Sequence, residues 1–87
     1  MAKTVLMPKL GLTMSEGTII KWRFEDGDNV KTGDVLFELE TDKMVNEVIS
    51  EVDGVLHIIL REGSVAPVAA TVGIIAGFDE DISGVLT

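Results

Sequence analysis

The sequence predicts an all-β fold, a flattened barrel or sandwich of two antiparallel four-stranded sheets related by quasi-twofold symmetry. Three features lead there: glycines that cut the chain into strand lengths, β-rich runs between them, and an internal repeat. The glycines Gly11, Gly17, Gly27, Gly33, Gly54, Gly63, Gly73 and Gly77 have the spacing of short strands joined by turns. Between them stand Thr18-Ile19-Ile20-Lys21-Trp22, Val35-Leu36-Phe37-Glu38-Leu39 and Val55-Leu56-His57-Ile58-Ile59-Leu60. These runs are rich in the branched and aromatic side chains that pack on a pleated surface. None keeps apolar residues at i, i+3, i+4 and i+7 over several turns, so no helix of useful length is expected.

The turns have matching chemistry. Asp26-Gly27 and Asp53-Gly54 are pairs that tolerate the positive φ of tight turns, so a chain reversal is expected at each. The repeat sets the symmetry: Gly54-Val55-Leu56 through Gly63 echoes Gly17-Thr18-Ile19 through Gly27, with one residue fewer between the glycines. Beyond the turn, Thr32-Gly33 with Leu36 and Leu39 is matched by Val68-Ala69 with Val72 and Ile75, 69 − 33 = 36 residues on. A solenoid needs about three such units to bury a continuous core. Two halves are better satisfied by closing on each other, with their apolar faces inward.

The chain has 87 residues, of which 46% are hydrophobic and 25% charged. This suits one globular domain with a modest core, assigned to residues 1–79, with residues 80–87 an acidic tail or the start of a linker. Seven basic against fifteen acidic residues give a net charge of −8, which repels nucleic-acid backbones and anionic membranes. No apolar run approaches the roughly 18 residues that span a bilayer, and a cytoplasmic location is the expectation. Cysteine is absent, which removes disulfides, thiol catalysis and Cys-based zinc sites. Neither a metal site nor a catalytic set is expected.

Between the halves lies Glu38-Leu39-Glu40-Thr41-Asp42-Lys43-Met44-Val45-Asn46-Glu47-Val48, two β-like runs joined by polar residues without glycine. It reads as a tight hairpin reversing at Asp42-Lys43, where Asp42 can bond nearby backbone N–H groups. Of Lys3, Lys9, Lys21, Lys31 and Lys43, only Lys43 has this place between the repeats. A lysine on a hairpin ordinarily does no more than discourage edge-to-edge association. A prosthetic arm, however, needs a reachable ε-amine on a rigid, protruding turn.

Glu40-Thr41-Asp42-Lys43 resembles the lipoylation motif of the acyltransferase components of 2-oxo acid dehydrogenase complexes. Met7-Pro8-Lys9-Leu10-Gly11 with Met14, Glu16-Gly17, Trp22, Gly27-Asp28, Val30, Gly33-Asp34 and Gly54 is similar to the same family in order and approximate spacing, over Thr4 to Ala76. The resemblance implies a barrel-sandwich hybrid that carries lipoic acid in amide linkage on Lys43. Asp42 precedes the lysine, and Glu40 and Thr41 complete the turn. Gly17, Gly27, Gly33 and Gly54 would serve turns, and Trp22, Leu36, Leu39 and Ile75 would pack the core. Met44 stands where the lipoyl family often has Ala, while biotin carriers have Met on both sides of their lysine. A biotin carrier domain is therefore the alternative, and Asp42 argues against it. Glu51 stands where relatives commonly have Pro.

The resemblance also implies partners: a lipoate ligase, a thiamine-diphosphate-dependent decarboxylase, an acyltransferase core and a dihydrolipoyl dehydrogenase. The parent complex would be of pyruvate or acetoin type. The domain would act as a swinging arm, making each encounter effectively intramolecular at local concentrations on the order of millimolar. It would be a carrier rather than an enzyme, and a monomer when isolated. An unmodified acidic interaction module is the rival from another class. Other residues read as structural. His57 has no evident catalytic partner, Met7 and Met14 fill core beside the Gly11 loop, and Glu38, Glu40 and Glu47 face solvent.

Overall fold

A computed structural model describes residues 2–78; the expected domain end at residue 79 and the tail 80–87 lie outside the described residues. Eight strands run β1 (Lys3–Leu6), β2 (Glu16–Trp22), β3 (Asn29–Val30), β4 (Val35–Glu40), β5 (Val45–Ile49), β6 (Gly54–Ile58), β7 (Val65–Pro67) and β8 (Thr71–Ala76). They form two four-stranded sheets, ordered β1-β8-β6-β3 and β5-β4-β2-β7, with every pairing antiparallel. No helix occurs among the described residues.

The expected symmetry is visible in the hydrogen bonds. Each half lends one short strand to the other half's sheet: β3 pairs with β6, and β7 with β2. At the first crossing Gly27 N–H donates to Leu56 O (2.7 Å) and Leu56 N–H to Asp28 O (2.8 Å). At the second, Gly63 N–H donates to Ile19 O (2.7 Å) and Ile19 N–H to Ser64 O (2.9 Å). The halves thus hold each other through backbone bonds, which buried strands require because an unpaired buried amide is costly. The extra residue in the first half is taken up at Ile20. There the β2–β4 register slips between Ile19 and Lys21, whereas β6–β8 runs without a slip.

Inward side chains of both sheets make one core, with Ile19, Leu36, Leu39, Leu56, Val72, Ile75 and Met7 buried. Trp22 stacks on Phe37 with ring centroids 4.8 Å apart and planes tilted by 49°, a geometry that adds to area burial. Its indole Nε1–H donates to Leu60 O at 2.8 Å, so burying the ring leaves no polar atom unpaired. Trp22, Leu36, Leu39 and Ile75 are all core, as expected.

Two of the four expected turn glycines have another role. Gly27 and Gly33 sit at turns with φ of 92° and 94°. Gly17 lies inside β2, and Gly54 is the first residue of β6 rather than the apex of a reversal. Both are needed for close approach. A Cβ on Gly54 would collide with the carbonyl oxygen of Ala76, and one on Gly17 with Leu39 Cδ1. Asp53 does its work elsewhere: its Oδ1 accepts from Thr32 N–H (2.8 Å) and Thr32 Oγ1 (3.0 Å), tying the loop before β6 to the β3–β4 turn.

Candidate functional site

The hairpin between the repeats forms as the sequence suggests. Glu40 pairs with Val45 at the last rung of β4 and β5, and residues 41–44 turn the chain, with Asp42, Lys43 and Met44 exposed. Among the described residues only Gly27, Gly33, Gly63 and Ala69 have positive φ, so this turn uses no left-handed residue. The primed two-residue turns usual in hairpins are thereby excluded. Side-chain bonding closes the turn instead. Thr41 Oγ1 accepts from Lys43 N–H (3.3 Å) and Met44 N–H (3.2 Å), and Thr41 N–H donates to Met44 O at 2.8 Å. The local acceptor is thus the Thr41 hydroxyl, not the Asp42 carboxylate that the sequence suggested.

Lys43 stands at the apex on an exposed position, and among the described residues its ammonium has no ion-pair partner. Beside it runs the loop between β1 and β2, shaped by Leu10 N–H on Met14 Sδ (3.2 Å) and Met14 N–H on Gly11 O (3.2 Å). Leu10, Gly11, Thr13 and Met14 line a small crevice with Thr41, Asp42, Lys43 and Met44. Glu16, Glu40 and Asp42 line a second one with Thr13–Thr18 and Thr41. The crevice that holds Lys43 thus has Asp42 as its one acid, and the acidic crevice adjoins it through Thr13, Met14, Thr41 and Asp42. Met7 and Met14 pack as expected, the first buried and the second half-buried against the core.

Sequence reasoning missed Arg23. Its Nε donates to Glu38 Oε2 at 2.7 Å and its Nη2 to Glu47 Oε2 at 3.1 Å. Glu38 and Glu47 face each other across the hairpin, so they are not merely solvent-facing; one guanidinium spans both. Glu40 is exposed. His57, half-buried on β6 opposite Ile74, makes no side-chain bond to a catalytic partner among the described residues. A crevice of about 710 Å³ is lined by Trp22 to Asp26, Ile58, Arg61 and Glu62 and includes none of residues 41–44. Among the described residues no three His, Asp or Glu side chains gather as a metal-ligand set, and no helix is long and apolar enough to cross a membrane.

Residues 3–75 match the family described as biotin-requiring enzymes, the biotinyl/lipoyl-attachment domains. The chain belongs to this family. The dihydrolipoyllysine-residue acetyltransferase component of the pyruvate dehydrogenase complex of Zymomonas mobilis is 41% identical over 87 residues, covering 98% of this chain and 20% of that protein. The mitochondrial pyruvate dehydrogenase complex protein X component of Chaetomium thermophilum is 39% identical over 84 residues, covering 94% of this chain and 19% of that protein. The solution structure of the lipoyl domain of the 2-oxoglutarate dehydrogenase complex from Azotobacter vinelandii superposes with a TM-score of 0.72 at 29% identity, covering 86% of this chain and 96% of that one. The chain thus spans about a fifth of the length of these curated relatives and matches nearly the whole of the solved lipoyl domain. It is a biotinyl/lipoyl-type domain with the barrel-sandwich fold of the solved lipoyl domain.

Proposed function

We propose that this domain carries lipoic acid in amide linkage on Lys43 and serves as the swinging arm of a pyruvate-type 2-oxo acid dehydrogenase complex. The observation that carries the reading is Lys43 itself, an exposed amine at the apex of the β4–β5 hairpin, without an ion-pair partner among the described residues. An amide bond at Nζ asks only for such an amine. Asp42 and Met44 beside it are exposed too, so nothing has to move to admit the acid. A bound lipoyl group supplies a dithiolane that takes up an acyl group with two electrons.

The chain's own residues present and orient. Thr41 holds the apex closed, while Arg23, Glu38 and Glu47 brace the strands behind it. Amide formation removes the Lys43 charge and leaves Asp42 beside the arm, with Glu16 and Glu40 in the adjoining crevice, a surface suited to basic residues at the mouth of a partner site. The partners in this reading are a lipoate ligase, a thiamine-diphosphate-dependent decarboxylase, the acyltransferase core and dihydrolipoyl dehydrogenase. Membership of dehydrogenase complexes in the names of the Zymomonas and Chaetomium relatives supports that set. In this reading residues 1–79 form the domain, with a cytoplasmic address; the Chaetomium relative is named mitochondrial.

Co-expression with a lipoate ligase and lipoate tests the proposal by intact mass. One lipoyl adduct is expected on the wild-type chain and none on Lys43→Arg. A biotin adduct would move the domain to the biotin carriers, and no adduct under either ligase would make it an unmodified interaction module.

A further inference from the structure

We infer that Thr41 is the positioning residue for the modification of Lys43: its hydroxyl holds the turn in the single arrangement that a modifying ligase accepts. This rests on the Lys43 reading and adds to it a residue whose side chain never touches the incoming acid.

The turn lacks the residues that ordinarily close a hairpin. A two-residue hairpin loop is ordinarily closed by residues with positive φ, supplied by Asn or Gly. Asp42 and Lys43 both keep negative φ, and the four residues Thr41 to Met44 contain no glycine. The closing bond of an ordinary β-turn runs from the fourth N–H to the first carbonyl. Here Met44 N–H points at Thr41 Oγ1 instead, at 3.2 Å, and Lys43 N–H reaches the same oxygen at 3.3 Å. The hydroxyl in turn lies 3.4 Å from Met44 O, as donor. One side-chain oxygen therefore serves three bonds within the turn, and two of the amides it holds flank the Cα that bears the amine.

The backbone bond from Thr41 N–H to Met44 O (2.8 Å) survives loss of the hydroxyl, but it holds neither the Lys43 nor the Met44 amide. Asp42, Lys43 and Met44 are exposed, Thr41 is half-buried, and Arg23 acts further back, at Glu38 and Glu47. Without the hydroxyl, the apex exchanges among several arrangements while β4 and β5 remain paired through Glu40 and Val45. A ligase that accepts one of them then meets it in only a fraction of molecules. Its apparent affinity falls by that fraction, and its turnover on bound substrate is unaffected.

The test uses wild type, Thr41→Val, which keeps the branched shape without the oxygen, and Thr41→Ser, which keeps the oxygen. Lipoate transfer by a lipoate ligase is followed against domain concentration, and amide hydrogen exchange is read by NMR on the same samples. Thr41→Val is expected to raise KM roughly three- to tenfold, the range of one lost hydrogen bond, at unchanged kcat. Exchange at Lys43 and Met44 should quicken by a similar factor, with the spectrum of the remaining domain unaltered, and Thr41→Ser should restore both. Wild-type KM in Thr41→Val, or a Thr41→Ser as poor as Val, overturns the positioning role while leaving Lys43 as the attachment point. Absence of any adduct on wild type overturns both.

Discussion

Ala69 adopts the same left-handed backbone conformation as Gly33, its counterpart in the other half of the molecule, with φ of 74° against 94°. Each closes a turn through the same bond three residues back, Ala70 N–H to Pro67 O and Asp34 N–H to Lys31 O, both 3.0 Å. Glycine adopts this conformation freely, whereas alanine brings its Cβ against a carbonyl oxygen at a cost of about 1–2 kcal/mol. Ala69→Gly should therefore stabilise the domain by about 1 kcal/mol, after allowance for the freer unfolded chain. Gly33→Ala should cost a similar amount. Urea midpoints at constant m measure both, and a destabilised Ala69→Gly would contradict the shared conformation.

The two strand glycines should differ in tolerance. A methyl on Gly54 meets the Ala76 carbonyl oxygen, part of the β6–β8 backbone, whereas one on Gly17 meets the movable end of Leu39. Gly54→Ala should cost about 3 kcal/mol or more, and Gly17→Ala about 1–3 kcal/mol, the range for overpacked cores. Thermal unfolding of the two variants orders them; equal losses would mean that β8 yields as readily as a leucine side chain.

Acid should loosen the join between the β3–β4 turn and the loop before β6. The Asp53 carboxyl is held below its ordinary value of 3.8, first by the hydrogen bond from Thr32 N–H, then by that from the Thr32 hydroxyl, with Lys31 adding a smaller pull. A depressed folded-state value stabilises the fold above the unfolded value and ceases to do so as pH falls through the folded one. Wild type should lose this contribution below about pH 3.8, whereas Asp53→Asn should lack it at every pH. Urea melts of both proteins from neutral pH downward should converge in the acid range, and curves parallel throughout would remove Asp53 from the join.

Removal of Arg23 leaves Glu38 and Glu47 facing each other across the hairpin. Like charges directly opposite are unfavourable, yet both ion pairs are well exposed and screened, so Arg23→Met should cost only about 0.5–1 kcal/mol at low salt. The loss should shrink as ionic strength rises. A loss independent of salt would assign Arg23 a packing role instead.

Much of the fold was legible because its signals are local or periodic. Glycine spacing and strand runs placed the elements, and the offset of 69 − 33 = 36 residues between Gly33 and Ala69 announced two halves closing on each other. The extra residue between Gly17 and Gly27 even foreshadowed the slip at Ile20. What escaped depends on tertiary approach. Nothing in the letters Asp53-Gly54 tells a turn glycine from one pressed against a neighbouring strand, and an alanine gives no sign of positive φ. Arg23 meets Glu47 from 24 positions away, beyond any pattern in the chain. Within the site the apex lysine was readable from its place between the repeats. Asp42 and Thr41 both favour local backbone bonds, and only the geometry of the turn shows that the hydroxyl makes them.

The most direct test of the account is peptide-level mass spectrometry of the protein purified from its natural host, with the adduct mapped by fragmentation. A single lipoyl group is expected on Lys43, with Lys3, Lys9, Lys21 and Lys31 free. A lipoyl group on any of those four, or biotin on Lys43, would contradict it.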